Sequence, residues 1–180
     1  MPNAILDPTG ATRLQKKAAA PRAPRRASLA GARVGLLINT KQNARPFLEE
    51  VGRILKDEHG VASVTERTKL NFAVPESDEV IKELAATSDV VITGVGDCGS
   101  CSAAAAADGV VLESVGVPVA VIVTESFTAT ASAMAELRGS PGYKYATTAH
   151  PVAVLTGEQV KARAATVIDD VIKLVTESAE

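Results

Sequence analysis

Apolar residues fall in short runs separated by longer amphipathic stretches, and the two alternate along most of the chain. Val34-Gly35-Leu36-Leu37-Ile38-Asn39 is a continuous apolar run, as expected of a strand buried on both faces of a parallel sheet. After Thr40-Lys41-Gln42-Asn43 the period changes near Pro46. Phe47, Leu48, Val51, Ile54 and Leu55 then form one helical stripe, which Gly60 closes. Val61 to Thr68 alternates and predicts a second strand nearer an edge. Asn71 to Glu76 reads as a loop, and Ser77 caps a helix to about Thr87.

Val90 to Thr93 predicts a third buried strand. A glycine turn follows, then a helix over Ser102–Ser114 that begins with the alanine run Ala103 to Ala107. Val117 to Thr124 is the fourth apolar strand, and Ser126 or Thr128 is expected to cap a helix ending at Leu137. Tyr143 to Thr147 gives a short fifth strand. Thr156 and Gln159 have the spacing of a capping box. It opens one long last helix with the stripe Val160, Ala164, Val167, Ile168, Val171, Ile172 and Val175. Strands alternating with helices predict an α/β fold: a three-layer, doubly wound, mostly parallel sheet of five strands. Right-handed crossovers favour the order 2-1-3-4-5.

Residues 1–30 break the pattern. Arg13, Lys16, Lys17, Arg22, Arg25 and Arg26 lie among Ala and Pro with Asp7 the only acid, so the segment is expected to be a basic, flexible arm. An arm wrapping a neighbouring subunit and a basic tail for nucleic acid are the other readings. Its removal is expected to leave the fold largely intact, with residues 31–180 forming a single domain.

The remaining composition narrows the classes. A net charge of −2 gives no global attraction to polyanions, and 3% aromatic residues supply few stacking platforms, which argues against nucleic-acid binding. No apolar run reaches the roughly 18 residues of a membrane span, and Met1 to Gly10 carries no signal core. A cytoplasmic location is therefore expected. There, Cys98 and Cys101, the two cysteines of the chain, are more readily catalytic or metal-binding than a staple.

Open parallel sheets place their sites beyond the carboxyl ends of the strands. That rim collects Asn39, Thr40 and Lys41 after the first strand, and Asp97, Cys98, Ser100 and Cys101 after the third. Thr124, Glu125 and Ser126 follow the fourth, and Thr148 and His150 the fifth. Cys98, Cys101, Glu125 and His150 are the candidate catalytic residues; Asn39, Thr40, Asp97, Ser100 and Thr124 are candidate substrate contacts. Each has a plainer role too. Glu125 suits a first helical turn, His150 a loop before Pro151, and Asn39 and Thr40 a turn closed onto the backbone. His59 ends the first helix, where a cation suits the dipole, and receives no chemistry. Gly94-x-Gly96-x-x-Gly99 has the dinucleotide spacing, but it follows the third strand and lacks a well-placed ribose acid, so no nucleotide is assigned.

At Gly96-Asp97-Cys98-Gly99-Ser100-Cys101 the chain resembles the UGSC family of (seleno)proteins, whose motif is selenocysteine-Gly-Ser-Cys with cysteine replacing selenocysteine in many members. The likeness runs from about Val34 through the last helix and includes Thr124-Glu125 and His150-Pro151. It is similar, more remotely, to selenocysteine-bearing subunits of the glycine and proline reductase type. The resemblance implies a reactive chalcogen at position 98 and a resolving thiol at position 101. Cysteine in place of selenocysteine implies slower redox chemistry, or chemistry that is not redox.

Three functions follow. The first is a thiol-dependent oxidoreductase or reductase subunit acting on a small molecule, with Cys98 as nucleophile and Cys101 resolving the adduct. The second is a non-redox lyase, hydratase or transferase using Cys98 as covalent nucleophile or acid/base. The third is a metal-binding or structural subunit of a larger assembly, in which two thiols, His150 and a carboxylate would complete a zinc site. A homo-oligomer or hetero-oligomer is expected, because a shallow rim on so small a domain gives a substrate little enclosure.

Overall fold

A computed structural model describes residues 20–176 of the 180. Five strands form one sheet: β1 (Arg33–Ile38), β2 (Ser63–Thr68), β3 (Val90–Gly96), β4 (Val119–Thr124) and β5 (Ala146–Thr148). Their order is β2-β1-β3-β4-β5 and every pairing is parallel, with Val34 opposite Val90 and Ile122 opposite Ala146. This is the α/β architecture and strand order that the apolar runs predict. The helices are α1 (Ala44–Glu58), α2 (Asp78–Thr87), α3 (Gly99–Ser114), α4 (Thr128–Leu137), α5 (Gly157–Ala165) and α6 (Ile168–Thr176).

The period of two along each strand divides the core into two layers. Leu36, Ile38, Ile92 and Ile122 face α1, α5 and α6, where Phe47, Leu48, Val51, Val160 and Val171 are buried. Leu37, Val91, Val121 and Val123 face α2, α3 and α4 across Ile81, Leu84, Ala105, Ala106 and Ala131. Small residues let α3 lie close to the sheet. A Cβ on Gly109 would stand 2.5 Å from Val121 Cγ2 and 2.8 Å from the Tyr143 hydroxyl. Among the described residues, no helix is long and apolar enough to cross a membrane.

Several boundaries differ from the sequence reading. The glycines after Thr93 belong to β3 rather than to a loop, and the register against β4 shifts between Thr93 and Gly96. Gly96 is needed where it stands, because a Cβ there would lie 2.8 Å from both Ser102 Oγ and Val123 Cγ1. The peptide bonds Gly94–Val95 and His150–Pro151 are cis. Helix α3 starts at Gly99, earlier than expected. Neither Ser126 nor Thr128 caps α4; the Thr128 hydroxyl instead donates to the Glu125 carbonyl at 3.0 Å across a 3-10 turn, Glu125–Phe127. The last helix is two helices. Thr166 Oγ1 donates to the Arg163 carbonyl at 2.8 Å, and Val167 N–H donates three residues back to Ala164, which tightens and interrupts the helix. The Ser77 cap and the Thr156–Gln159 capping box form as read.

The largest difference concerns the basic arm. Residues 1–19 lie outside the described residues, but residues 20–30 form a strap across the amino-terminal edge of the sheet. Ala23 and Leu29 are buried there. Ala20 N–H donates to the Gly139 carbonyl at 2.8 Å. Glu113 Oε2 accepts from Ala23 N–H and from Arg25 Nη1, each at 2.8 Å, while its Oε1 accepts from Val119 N–H at 3.0 Å.

Candidate functional site

Strand β3 ends at Gly96 beside the point where the strand order reverses, and the chain passes through Asp97 and Cys98 directly into α3. Cys98 is extended, with φ −158° and ψ 169°, and is the N-cap of that helix. Its sulfur accepts from Cys101 N–H at 3.3 Å, and its carbonyl accepts from Ser102 Oγ at 2.6 Å. The first turn of α3 carries Cys101 back beneath Cys98. The Cα atoms are 5.4 Å apart, within disulfide reach, and the two sulfurs are paired as a disulfide. Cys101 is fully buried and Cys98 half-buried, so a reactant from solvent meets Cys98 first. Exposed Ser100 places its hydroxyl 3.7 Å from Cys98 Sγ.

Asp97 turns the other way. Its carboxylate is buried, with Oδ1 2.9 Å from His150 Nδ1 and Oδ2 accepting from Val152 N–H at 3.0 Å and Ala153 N–H at 2.9 Å. Thr124, fully buried at the end of β4, donates its hydroxyl to the Gly96 carbonyl at 3.2 Å and lies 3.3 Å from the same His150 nitrogen. The Phe127 ring meets the imidazole edge-on at 5.4 Å between centroids. The imidazole thus sits at the rim of the sheet with its Nδ1 side enclosed.

The structure therefore brings Asp97, Thr124 and His150 into one hydrogen-bonded group and Cys98, Ser100 and Cys101 into another, joined through the Asp97–Cys98 peptide. The other candidates stand apart. Asn39 is buried and holds the edge together: its Nδ2 donates to the Val95 carbonyl at 2.8 Å, and its Oδ1 accepts from Lys41 N–H at 3.1 Å. That is the turn-closing role. Thr40 is exposed next to it, and Lys41 extends its ammonium over the Phe72 ring, 5.1 Å from the centroid. Glu125 is exposed at the start of the 3-10 turn. His59 is the C-cap residue of α1. Among the described residues, no three His, Cys, Asp or Glu side chains converge as a metal-ligand set.

Two supports were not foreseen from the sequence. Asn43, at φ 66°, donates its amide to the carbonyls of Val152 (3.0 Å), Ala153 (3.2 Å) and Leu155 (2.9 Å), fixing the loop whose N–H groups hold Asp97. Its left-handed conformation is one that asparagine tolerates, and an Asn just before a helix is the available signal. The second is a buried ion pair between Lys69, which follows β2, and Asp108 in the middle of α3. Asp108 also accepts from Glu76 N–H at 2.7 Å. Burial pushes the Asp108 carboxyl above its usual range, against the opposing pull of Lys69. The hint in the sequence is a carboxylate among the small and apolar residues in the middle of the helix.

The model of the UGSC family matches residues 4–177. A search of the curated proteins found no match. Among solved structures, the crystal structure of RecJ in complex with Mn2+ from Thermus thermophilus is similar, with 17% sequence identity and a TM-score of 0.43. The match covers 94% of this chain and 22% of the RecJ chain, and nothing about chemistry follows from it.

Proposed function

The chain belongs to the UGSC family, and on that footing we propose that it is a thiol-dependent oxidoreductase, or the thiol subunit of one, acting on a small molecule. One observation carries the proposal: Cys98 and Cys101 are paired within a single helical turn at the carboxyl edge of the sheet. Cys98, the more accessible sulfur, attacks an electrophilic disulfide or comparable chalcogen of the substrate as its thiolate and displaces the first leaving group. Buried Cys101 then attacks Cys98 Sγ, expels the reduced product and closes the Cys98–Cys101 disulfide. The substrate gains two electrons and the dithiol loses them, so a cellular thiol or dithiol must restore the pair. The helix terminus favours the attacking anion, and the held partner replaces a bimolecular step with an intramolecular one. A reducing compartment such as the cytoplasm suits this cycle. The similarity to reductase subunits belongs to the same proposal.

Mild oxidant is expected to remove two mass units from the intact protein, and dithiothreitol to restore them. Cys101→Ser is expected to accumulate a mixed disulfide at Cys98, and Cys98→Ser to abolish turnover. Absence of the two-unit loss, with Cys101→Ser fully active, would overturn the redox proposal.

The Asp97–His150 pair favours a second reading, a non-redox lyase or hydratase in which Cys98 is the covalent nucleophile. Such an enzyme needs Cys98 and tolerates loss of Cys101. In either case a second subunit, of the same or another chain, would supply enclosure. Exposed Leu70, Val74 and Val154, all in loops on the site's edge, suit that contact. Light scattering of the full chain checks it.

A further inference from the structure

We infer that Ser100 is a catalytic residue of the thiol site: its hydroxyl donates to the Cys98 thiolate and enlarges the fraction of that sulfur ready to attack. The inference rests on the proposal that Cys98 is the nucleophile and deepens it. Ser100 Oγ stands 3.7 Å from Cys98 Sγ, at the exposed start of α3. In the neutral pair either atom can donate. A thiolate has no hydrogen, so once Cys98 ionises the hydroxyl is the donor and the sulfur the acceptor. The sulfur then has a second donor, since Cys101 N–H points to it at 3.3 Å. Hydrogen bonds to an ionised acceptor are roughly twice as strong as those between neutral groups.

The direction taken by this hydroxyl is not the usual one in a helix. Ser and Thr side chains in helices commonly turn back to a carbonyl three or four residues earlier. Thr87, Ser102 and Ser114 do so here, donating to the carbonyls of Glu83, Cys98 and Val111 at 2.8, 2.6 and 2.7 Å. Ser100 does not. Among the described residues, its hydrogen-bond partner is the Cys98 sulfur. Gly99, between the two, adds no bulk: a Cβ there would meet nothing within 4 Å, so the approach from solvent stays open.

The buried partner is set up in the opposite sense. Cys101 Sγ lies 3.3 Å from the Cys98 carbonyl oxygen, an acceptor that suits a protonated thiol and opposes an anion. In the reduced pair, therefore, Cys98 ionises while Cys101 holds its proton. The neighbouring charge is Asp97, and its carboxylate turns to His150 Nδ1 and to the N–H groups of Val152 and Ala153. Among the described residues, no charged side chain bonds to Cys98 Sγ, which leaves the donors of the first turn of α3 to stabilise the anion. On ionisation the Cys98 S–H bond breaks, its electron pair stays on sulfur, and the proton passes to solvent water. Ser100 keeps its own proton throughout.

Ser100→Ala removes the donor and keeps the helix, because the position is exposed and alanine is the best helix former. The variant should melt with the wild type. In the fully reduced full-length protein, iodoacetamide labelling of Cys98, read by peptide mass, is followed against pH. In Ser100→Ala the midpoint of that profile should rise by about half to one unit, or about three- to tenfold less thiolate on its acid side. At the alkaline plateau, where both proteins are fully ionised, the variant should label at least as fast. A thiolate released from a hydrogen bond is the stronger nucleophile. Loss at low pH without loss at the plateau separates hydrogen-bond donation from a change of shape. A profile that overlays the wild type refutes the role. An equal drop at every pH refutes it too, since that would be lost access to the sulfur. Labelling of reduced protein involves no disulfide, so the result is independent of whether the thiols cycle. A raised midpoint without the two-unit mass loss keeps this inference and sinks the redox proposal; the two-unit loss with an unshifted profile does the reverse.

Discussion

Replacing Arg25 by alanine removes the charged partner of a carboxylate that has no access to water. Glu113 is 2% exposed and Arg25 8% at the side chain, with Nη1 and Oε2 2.8 Å apart. Breaking a buried pair from one side costs about 3–5 kcal/mol, because the surviving charge stays buried. Glu113 would keep two backbone donors, Ala23 N–H and Val119 N–H, which places the loss at the lower end, about 3 kcal/mol. For a domain of this size that corresponds to a fall in Tm of about 6–12 °C. Deleting residues 1–30 strips the same carboxylate of Ala23 N–H as well and uncovers the ground under Leu29, so it should cost at least as much. A cycle of Arg25→Ala, Glu113→Gln and the double variant, followed by urea unfolding, isolates the pair. The double variant should lose less than the sum of the singles. If Arg25→Ala and the deletion both melt within a degree of the wild type, the strap is not part of the fold and the expectation drawn from composition stands.

Three further outcomes follow. Arg33 holds the Asp89 carboxyl down to about 2, through its side-chain hydrogen bond first and its backbone N–H next. A depressed acid stabilises the fold above its unfolded pKa, and that contribution disappears as pH falls from about 4 to about 2. Unfolding titrations over that window should be flatter for Asp89→Asn; an identical slope would show the pair contributes nothing. Lys69→Ala should destabilise by about 3 kcal/mol by stranding Asp108, whereas Lys69→Met with Asp108→Leu should recover most of the loss. Equal unfolding midpoints for the two variants would argue against a stranded charge. Gly109→Ala should cost about 1–3 kcal/mol, because its methyl meets Val121 and the Tyr143 ring system; an unchanged midpoint would mean α3 has room to move.

The layered fold was legible because its signals are local. The central strands β1, β3 and β4, buried in a parallel sheet, must be apolar, and the stripes of α1 and of the last helices must face it. The break at Thr166 was not legible, because Val160, Ala164, Val167 and Val171 hold one buried face across it. Gly94 and Gly96 read as a turn since glycine usually marks one. Here they let Ile122, Val123 and Ser102 approach the backbone of β3, a demand made by neighbours distant in sequence. The strap failed for a related reason. Arg25 is an ordinary disorder-promoting residue until Glu113, 88 residues on, gives it a partner. The rim of the site followed from topology, since strand ends in such a sheet lie on one edge. The division of labour on the rim did not. Asp97 was read as a substrate contact, yet it faces His150, 53 positions later, and that pairing belongs to the loop geometry of residues 150–153.

Cys98 is both the exposed sulfur of the pair and the residue that starts α3. A sulfur is a poor acceptor for a helix N–H, whereas a serine hydroxyl is among the best N-caps. On the proposed function, the position trades robustness for reactivity. Cys98→Ser should be inactive and yet melt higher than the wild type in the reduced state, while Cys98→Ala should lose activity and the weak sulfur cap, at a cost below about 1 kcal/mol. Selection for stability alone would install serine here. Keeping a sulfur at the head of a sixteen-residue helix means carrying a standing structural handicap, which the proposed thiol chemistry would account for.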